Sequence, residues 1–294
     1  MELLAQQVVD GIAWGSLYGA LALSLVLVYR ASGIVNFAQG EMAMFAAFIS
    51  WQCHQWGMSL PLAILVSMII AFIAGALVER TLIRPLASSS SHLTLIIITL
   101  GLMLILNNAA GWIWDFNART FPPISEGPVI NLGSAVMSRQ AFAIVLAVAI
   151  VAALLYVLFQ HIRTGLYMRA AVSNPESARL VSIPVNRMLS LSWGLAAAIG
   201  ALVASLAAPQ LVLQPNMFAA TLIYAFAAAI LGGLDSPIGA LVGGLIVGIS
   251  ENLAGTYLPG IGNDFKQAIA LAIIMAVLFF KAEGLFGARQ VVRV

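Results

Sequence analysis

Gly11 to Tyr29 reads GIAWGSLYGALALSLVLVY, an uncharged apolar stretch, and it runs into the polar segment Arg30-Ala31-Ser32-Gly33-Ile34-Val35-Asn36-Phe37-Ala38-Gln39-Gly40-Glu41. A bilayer core of roughly 30 Å takes about 20 apolar residues at 1.5 Å each, so this stretch has the length and the character of a membrane span. The same pattern repeats outward along the chain. Nine segments are expected as helical spans: Gly11 to Tyr29, Ile34 to Trp51, Leu60 to Val78, Leu93 to Trp114, Gln140 to Phe159, Leu189 to Ala208, Phe218 to Leu234, Ile238 to Ala254 and Phe265 to Phe280. The turn Asp235-Ser236-Pro237 is short, so the seventh and eighth segments form either two crossings or one re-entrant hairpin over Phe218 to Ala254, which leaves seven spans.

Composition agrees. Of 294 residues, 62% are hydrophobic and 8% charged, against roughly 45–50% and 25% in a soluble domain. An all-α polytopic membrane protein follows, with residues 1–294 as one transmembrane domain. The two-residue alternation of a membrane β-barrel is absent. A net charge of +2 excludes a nucleic-acid footprint. The first ten residues hold Glu2 and Asp10 but no Lys or Arg, so the amino terminus reads as mature sequence rather than a signal peptide.

Cytoplasmic loops carry the excess of Lys and Arg. With the amino terminus outside and the carboxyl terminus inside, Arg30, Arg80, Arg84, Arg163, Arg169, Arg179, Arg187, Lys281, Arg289 and Arg293 fall inside. Arg119, Arg139 and Lys266 remain outside. Residues 115–139 are then a periplasmic loop, whose Pro122, Pro123, Gly127, Pro128 and Gly133 suggest an ordered cap. Residues 160–187 are cytoplasmic. Within them Asn174 suits an N-cap, Pro175 the first helical position and Glu176 the positive helix end, with Pro184 as the stop. A short helix from Asn174 to Ile183 is expected, with Ala178, Val181 and Ser182 as a small docking face for a soluble partner.

The chemistry-bearing candidates are few. The two lysines, Lys266 and Lys281, follow no glycine-rich phosphate cradle, so the chain hydrolyses no ATP itself. No paired-His zinc motif or Gly-x-Ser-x-Gly elbow is present, and Cys53 with His54 lacks metal-ligand spacing. No metal site and no catalytic residue is expected. Ionisable groups inside spans are costly and mark sites. Glu41, with Asn36 and Gln39 beside it, is a candidate for the translocation path; Glu251 reads as reaching interfacial water at a span end. Asn107 and Asn108 are expected to bond to neighbouring helices. Gly11, Gly15 and Gly19, the pairs Gly239/Gly243 and Gly244/Gly248, and Ala196, Gly200 and Ala204 form small-residue stripes that read as helix-packing faces. Few span residues are charged, so a path through this chain offers few buried partners for a zwitterion.

The stretch from Tyr29 to Met42 resembles a known family, the permease subunits of branched-chain amino acid ABC importers, of the LivH type. It is similar to the family's Gly-Val-x-Asn-Phe-Ala-His-Gly stretch, with Gln39 where many relatives have His. Arg84-Pro85-Leu86, Thr99-Leu100-Gly101, and Leu231-Gly232-Gly233 followed by Gly239 extend the match. Gly165 to Ala170, with Asn174, Glu176, Ala178 and Arg179, is similar to the family's coupling loop, with Ser182 where relatives commonly carry Gly. The resemblance implies a multi-pass protein of the bacterial inner membrane that moves branched-chain or related amino acids. Its implied partners are a LivM-type second permease, two ATPase subunits holding ATP and Mg, and a periplasmic binding protein, with membrane lipid around it. Coupling then falls to Arg169, Asn174, Glu176, Ala178, Arg179 and Val181, and the path to Asn36, Gln39, Glu41 and Asn107. The rival readings are a proton-coupled secondary transporter using Glu41 and a membrane protein with a structural role.

Overall fold

The computed structural model describes residues 2–87, 92–257, 266–281 and 283–287. Arg289 and Arg293, the side chain of Lys266 and the start of the ninth expected span at Phe265 lie outside the described residues. The helices are α1 (Glu2–Ser32), α2 (Gln39–Gln55), α3 (Leu60–Val78), α4 (Arg84–Ala87), α5 (His92–Trp114), α6 (Arg139–His161), α7 (Arg163–Ser173), α8 (Pro175–Leu180), α9 (Val185–Leu211), α10 (Ala219–Gly232), α11 (Pro237–Tyr257) and α12 (Lys266–Phe280). A π-helical turn, Glu79–Ile83, joins α3 to α4. Two-residue strands β1 (Ile130–Asn131) and β2 (Val136–Met137) pair antiparallel within the expected cap.

Six helices among the described residues are long and apolar enough to cross a bilayer: Glu2–Ser32, Leu60–Leu86, Leu93–Trp114, Arg139–His161, Val185–Leu211 and Pro237–Tyr257. They fall in six of the nine expected spans; the other three are not confirmed by length and composition. Helices α2 and α10 hold 17 and 14 residues, or about 26 and 21 Å at 1.5 Å per residue, short of a roughly 30 Å core, and α12 is described from Lys266 onward. Of the hairpin over Phe218 to Ala254, α11 is long enough to cross and α10 is shorter. The reasons are local. Gly33 adopts φ +69° at the end of α1, and residues 33–38 stay out of helix, so the second segment starts at Gln39 rather than Ile34. Asn216, at φ +69°, and Gly233, at φ +103°, bracket α10 in the same way.

The chain divides into two compact units. The first comprises Met1–Val26, Ser125–Val148 and Ala219–Val294. In it the expected glycine stripes meet each other. A Cβ on Gly15 would lie 2.7 Å from the Gly244 oxygen, and one on Gly11 would lie 2.7 Å from the Ile249 Cα, so α1 and α11 touch backbone to backbone. Gly243, on the second glycine face of α11, packs against the backbone of Ala228 and Gly232 in α10. Gln6 grips the hairpin edge with both amide atoms: Nε2 donates to the Val136 oxygen and Oε1 accepts from the Val136 N–H, each at 2.9 Å.

The second unit comprises Leu27–Ile124 and Ala149–Phe218. Its centre is α9, buried along most of its length and packed on α2 and α3 through Ala46, Ala71, Ala197 and Ala201. Gly200 lets α9 approach Gln39 and Ala43, so the Ala196-Gly200-Ala204 stripe is a packing face. Leu62, Leu65, Ile69 and Ile73 of α3, and Leu93, Ile97, Leu104 and Ile105 of α5, are exposed. Outward-facing apolar side chains around a close-packed small-residue interior are what a hydrocarbon solvent requires.

Candidate functional site

The non-helical segment after Gly33 is held by Asn36 and Gln39, both fully buried. The Asn36 carboxamide folds back on the turn: Oδ1 accepts from the Ala38 N–H at 3.1 Å, and Nδ2 donates to Gln39 Oε1 at 3.1 Å. Gln39 Nε2 in turn donates to the main-chain oxygen of Ala196 in α9, at 3.1 Å. Asn and Asp favour such turns because the short side chain substitutes for a backbone partner. Two expected path residues thus form one buried network that pins the start of α2 to α9.

The other two also meet. Asn107 Nδ2 of α5 donates to Glu41 Oε2 at 3.3 Å, and Glu41 is 5% exposed. Asn108 behaves otherwise than expected: its amide donates to the Leu104 oxygen of its own helix at 2.8 Å. Beyond this pair, Trp114 of α5 stacks on Phe48 of α2 and donates to Gln52 at 3.1 Å, while Arg119 lies 4.6 Å from the Trp51 ring centroid. These contacts fix α5 against α2 at the end where the 115–139 loop begins.

The expected coupling segment contains two helices. Arg163–Ser173 is a helix that the residue pattern did not announce, and Asn174 is both the end of α7 and the N-cap of α8. The cap forms as anticipated, with Asn174 Oδ1 accepting from the Ser177 N–H at 2.9 Å and Pro175 at the first helical position. The end comes earlier than Ile183. Ile183 N–H donates to the Ala178 oxygen and Ser182 N–H to the Arg179 oxygen, each at 3.0 Å, and Ser182 adopts φ +62°. That is a Schellman ending, completed before Pro184 could act, with serine in a position that favours glycine.

The docking face needs a correction. Ala178 is 4% exposed and packs in a cluster with Met168, Ala171, Val185 and Met188. It faces the unit's own interior because a six-residue helix with one apolar side must lay that side on α7 and α9. Leu180 and Val181, at 87% and 69% exposure, are the apolar side chains left outward. Glu176 and Arg179 are exposed, and Arg169 turns toward Gln160 of α6, with Nη1 to Oε1 at 3.5 Å.

Two charged clusters were not anticipated. In the first unit Glu251 is 7% exposed, which corrects its reading as an interfacial residue. The phenols of Tyr18 and Tyr224, stacked at 4.8 Å between centroids, hydrogen-bond to its carboxylate. In the second unit Glu79, 2% exposed, receives Arg84 Nε at 3.0 Å and Ser190 Oγ at 2.6 Å. Arg84 Nη2 also reaches the Asn186 oxygen at 2.9 Å. Among the described residues no group of three or more His, Cys, Asp or Glu is placed to hold a metal ion. Cys53 is buried with a free thiol, and the His54 ring faces the Met58 oxygen at 2.9 Å.

The chain thus combines several apolar helices long enough to cross a membrane, a buried polar turn after Gly33 and a short capped helix before α9. Residues 7–278 match the family described as branched-chain amino acid transport system / permease component, and the chain belongs to that family. It is 29% identical to the high-affinity branched-chain amino acid transport system permease protein BraD of Pseudomonas aeruginosa, over 98% of this chain and 97% of that one. It is 28% identical to the corresponding LivH of Escherichia coli K12, with the same coverage. Similarity extends to the autoinducer 2 import system permease protein LsrD of Escherichia coli O9:H4, 26% identical over 90% of this chain and 80% of that one.

Proposed function

We propose that this chain is the translocation subunit of an ATP-driven importer of branched-chain or related amino acids in the bacterial inner membrane. The observation that carries the reading is the family match across residues 7–278, reinforced by nearly full-length similarity to BraD and LivH. In this reading a LivM-type permease pairs with it, two ATPase subunits bind ATP and Mg, and a periplasmic protein delivers the substrate. The amino terminus and residues 115–139 lie outside; residues 160–187 and the carboxyl terminus lie inside.

Coupling runs through α7 and α8. Arg169, Asn174, Glu176 and Arg179 shape this segment, Ala178 anchors it to α9, and Val181, joined by Leu180, offers the apolar contact to an ATPase groove. The network of Asn36, Gln39, Glu41 and Asn107 borders the path. Leucine, isoleucine and valine are the first substrates, because BraD and LivH are named for their class. Co-purification tests the assembly: the chain expressed with its partner subunits should retain both ATPases. Loss of neither ATPase on changing Leu180 and Val181 to Asp would remove α8 from the coupling scheme.

A further inference from the structure

A cavity of about 430 Å³ lies in the second unit between the π turn, α5, α8 and α9. Its charged lining is Glu79, Arg84 and Arg179, and its apolar wall includes Leu95, Leu189 and Trp193. That volume falls within the roughly 300–1,000 Å³ of small-ligand pockets.

The charges do not cancel. Glu79 is neutralised by one edge of Arg84, whose Nε and Nη2 are spent on Glu79, Ser190 and the Asn186 oxygen. Among the described residues, Arg84 Nη1 makes no hydrogen bond. Arg179 is exposed and makes no ion pair among the described residues. Trp193 is 1% exposed, and its indole N–H has no hydrogen-bond partner among the described residues. One excess positive charge, a guanidinium fixed from behind by a buried carboxylate, and an apolar wall together suit an anion with a hydrocarbon body. Arg84 Nη1 and the Arg179 guanidinium can each give a carboxylate one charge-assisted contact.

We propose that this cavity binds the carboxylate of an aliphatic amino acid between Arg84 and Arg179, with the side chain against Leu95, Leu189 and Trp193. The identity of the amino acid rests on the importer reading; the carboxylate site does not. Because Arg179 belongs to α8, an occupied site would tie the transported product to the helix assigned to coupling.

Ligand-observed NMR on the full-length chain in phosphatidylcholine nanodiscs tests this without any ATPase. Leucine and 4-methylpentanoate, which share the carboxylate and the branched tail, should bind and compete. The amine 3-methylbutylamine, which lacks the carboxylate, should not bind. Arg179→Gln, at an exposed position, should weaken binding about tenfold, the worth of one charge-assisted contact, with Arg179→Lys recovering part of it. Four results would each overturn the proposal: no binding at millimolar leucine, equal binding of the amine, an unchanged affinity in Arg179→Gln, or full displacement by inorganic phosphate or phosphatidylglycerol. Binding without import in the reconstituted complex would leave the site standing and remove the importer reading, and import without binding would do the reverse.

Discussion

Arg84 grips Glu79 from five residues further along the chain, with Nε 3.0 Å from Oε1 and Nη2 2.5 Å from Oε2. In an α-helix the neighbours along one face are three and four apart. The π turn at Glu79–Ile83, with its i to i+5 bonding, brings these two onto one face instead. Glu79 is 2% exposed, so removing its partner leaves a buried charge uncompensated. Arg84→Ala should cost about 3–5 kcal/mol, while replacing both residues with Leu should cost far less. Thermal melting of the three purified variants in one detergent checks the order.

The α1–α11 contact should be the least tolerant of added bulk. A Cβ on Gly15 meets the Gly244 backbone at 2.7 Å, whereas one on Gly101 meets nothing within 4 Å. Gly15→Val should therefore destabilise by about 1–3 kcal/mol through overpacking. Gly101→Ala should stabilise by about 0.5–1 kcal/mol, because alanine loses less backbone freedom in a helix. Fluorescence-detected size exclusion after a heating series would compare them, and equal melting of the two would remove the backbone contact from the account.

Separate substitutions should divide the fold of the α8 segment from its contact. Asn174→Ala removes the N-cap bond to Ser177 and should cost about 0.5–2 kcal/mol. Leu180→Asp with Val181→Asp alters only exposed side chains, so melting should hold while ATPase co-purification falls. Ala178→Arg would drive charge into the Met168–Met188 cluster and report on folding alone. Retained ATPase binding in the double Asp variant would place the coupling contact elsewhere.

Membrane sidedness is tested with single cysteines on a Cys53→Ser background, since Cys53 is the sole cysteine and is 4% exposed. Ser173→Cys, at an exposed position beside the α8 cap, should resist a membrane-impermeant maleimide in intact spheroplasts and react after lysis. Labelling of intact cells would invert the charge-based orientation.

What the sequence made legible was whatever depends on neighbours along the chain. The span from Leu60 to Val78 has the bounds of α3, and the Asn174-Pro175 cap forms as its residue types require. The glycine stripes were visible as faces, although their partners were not. What stayed hidden depends on pairing through space or on irregular backbone. Glu251 looked interfacial because nothing along the chain brings Tyr18 and Tyr224 to it. The Glu79–Arg84 pair lies at a spacing that α-periodicity ignores. Ala178 looked like a docking residue because a small apolar side chain on a short helix serves an inner or an outer contact equally well; Met168 and Val185 decide for the inner one.

The central claim is tested most directly by leucine uptake into proteoliposomes containing this chain, its partner permease, both ATPases and a loaded binding protein on the outside. The account predicts uptake that needs ATP and every partner, none by this chain alone, and retention in Glu41→Gln, whose amide oxygen can still accept from Asn107. Uptake by this chain alone, driven by a pH gradient and abolished by Glu41→Gln, would contradict it and make Glu41 a proton carrier.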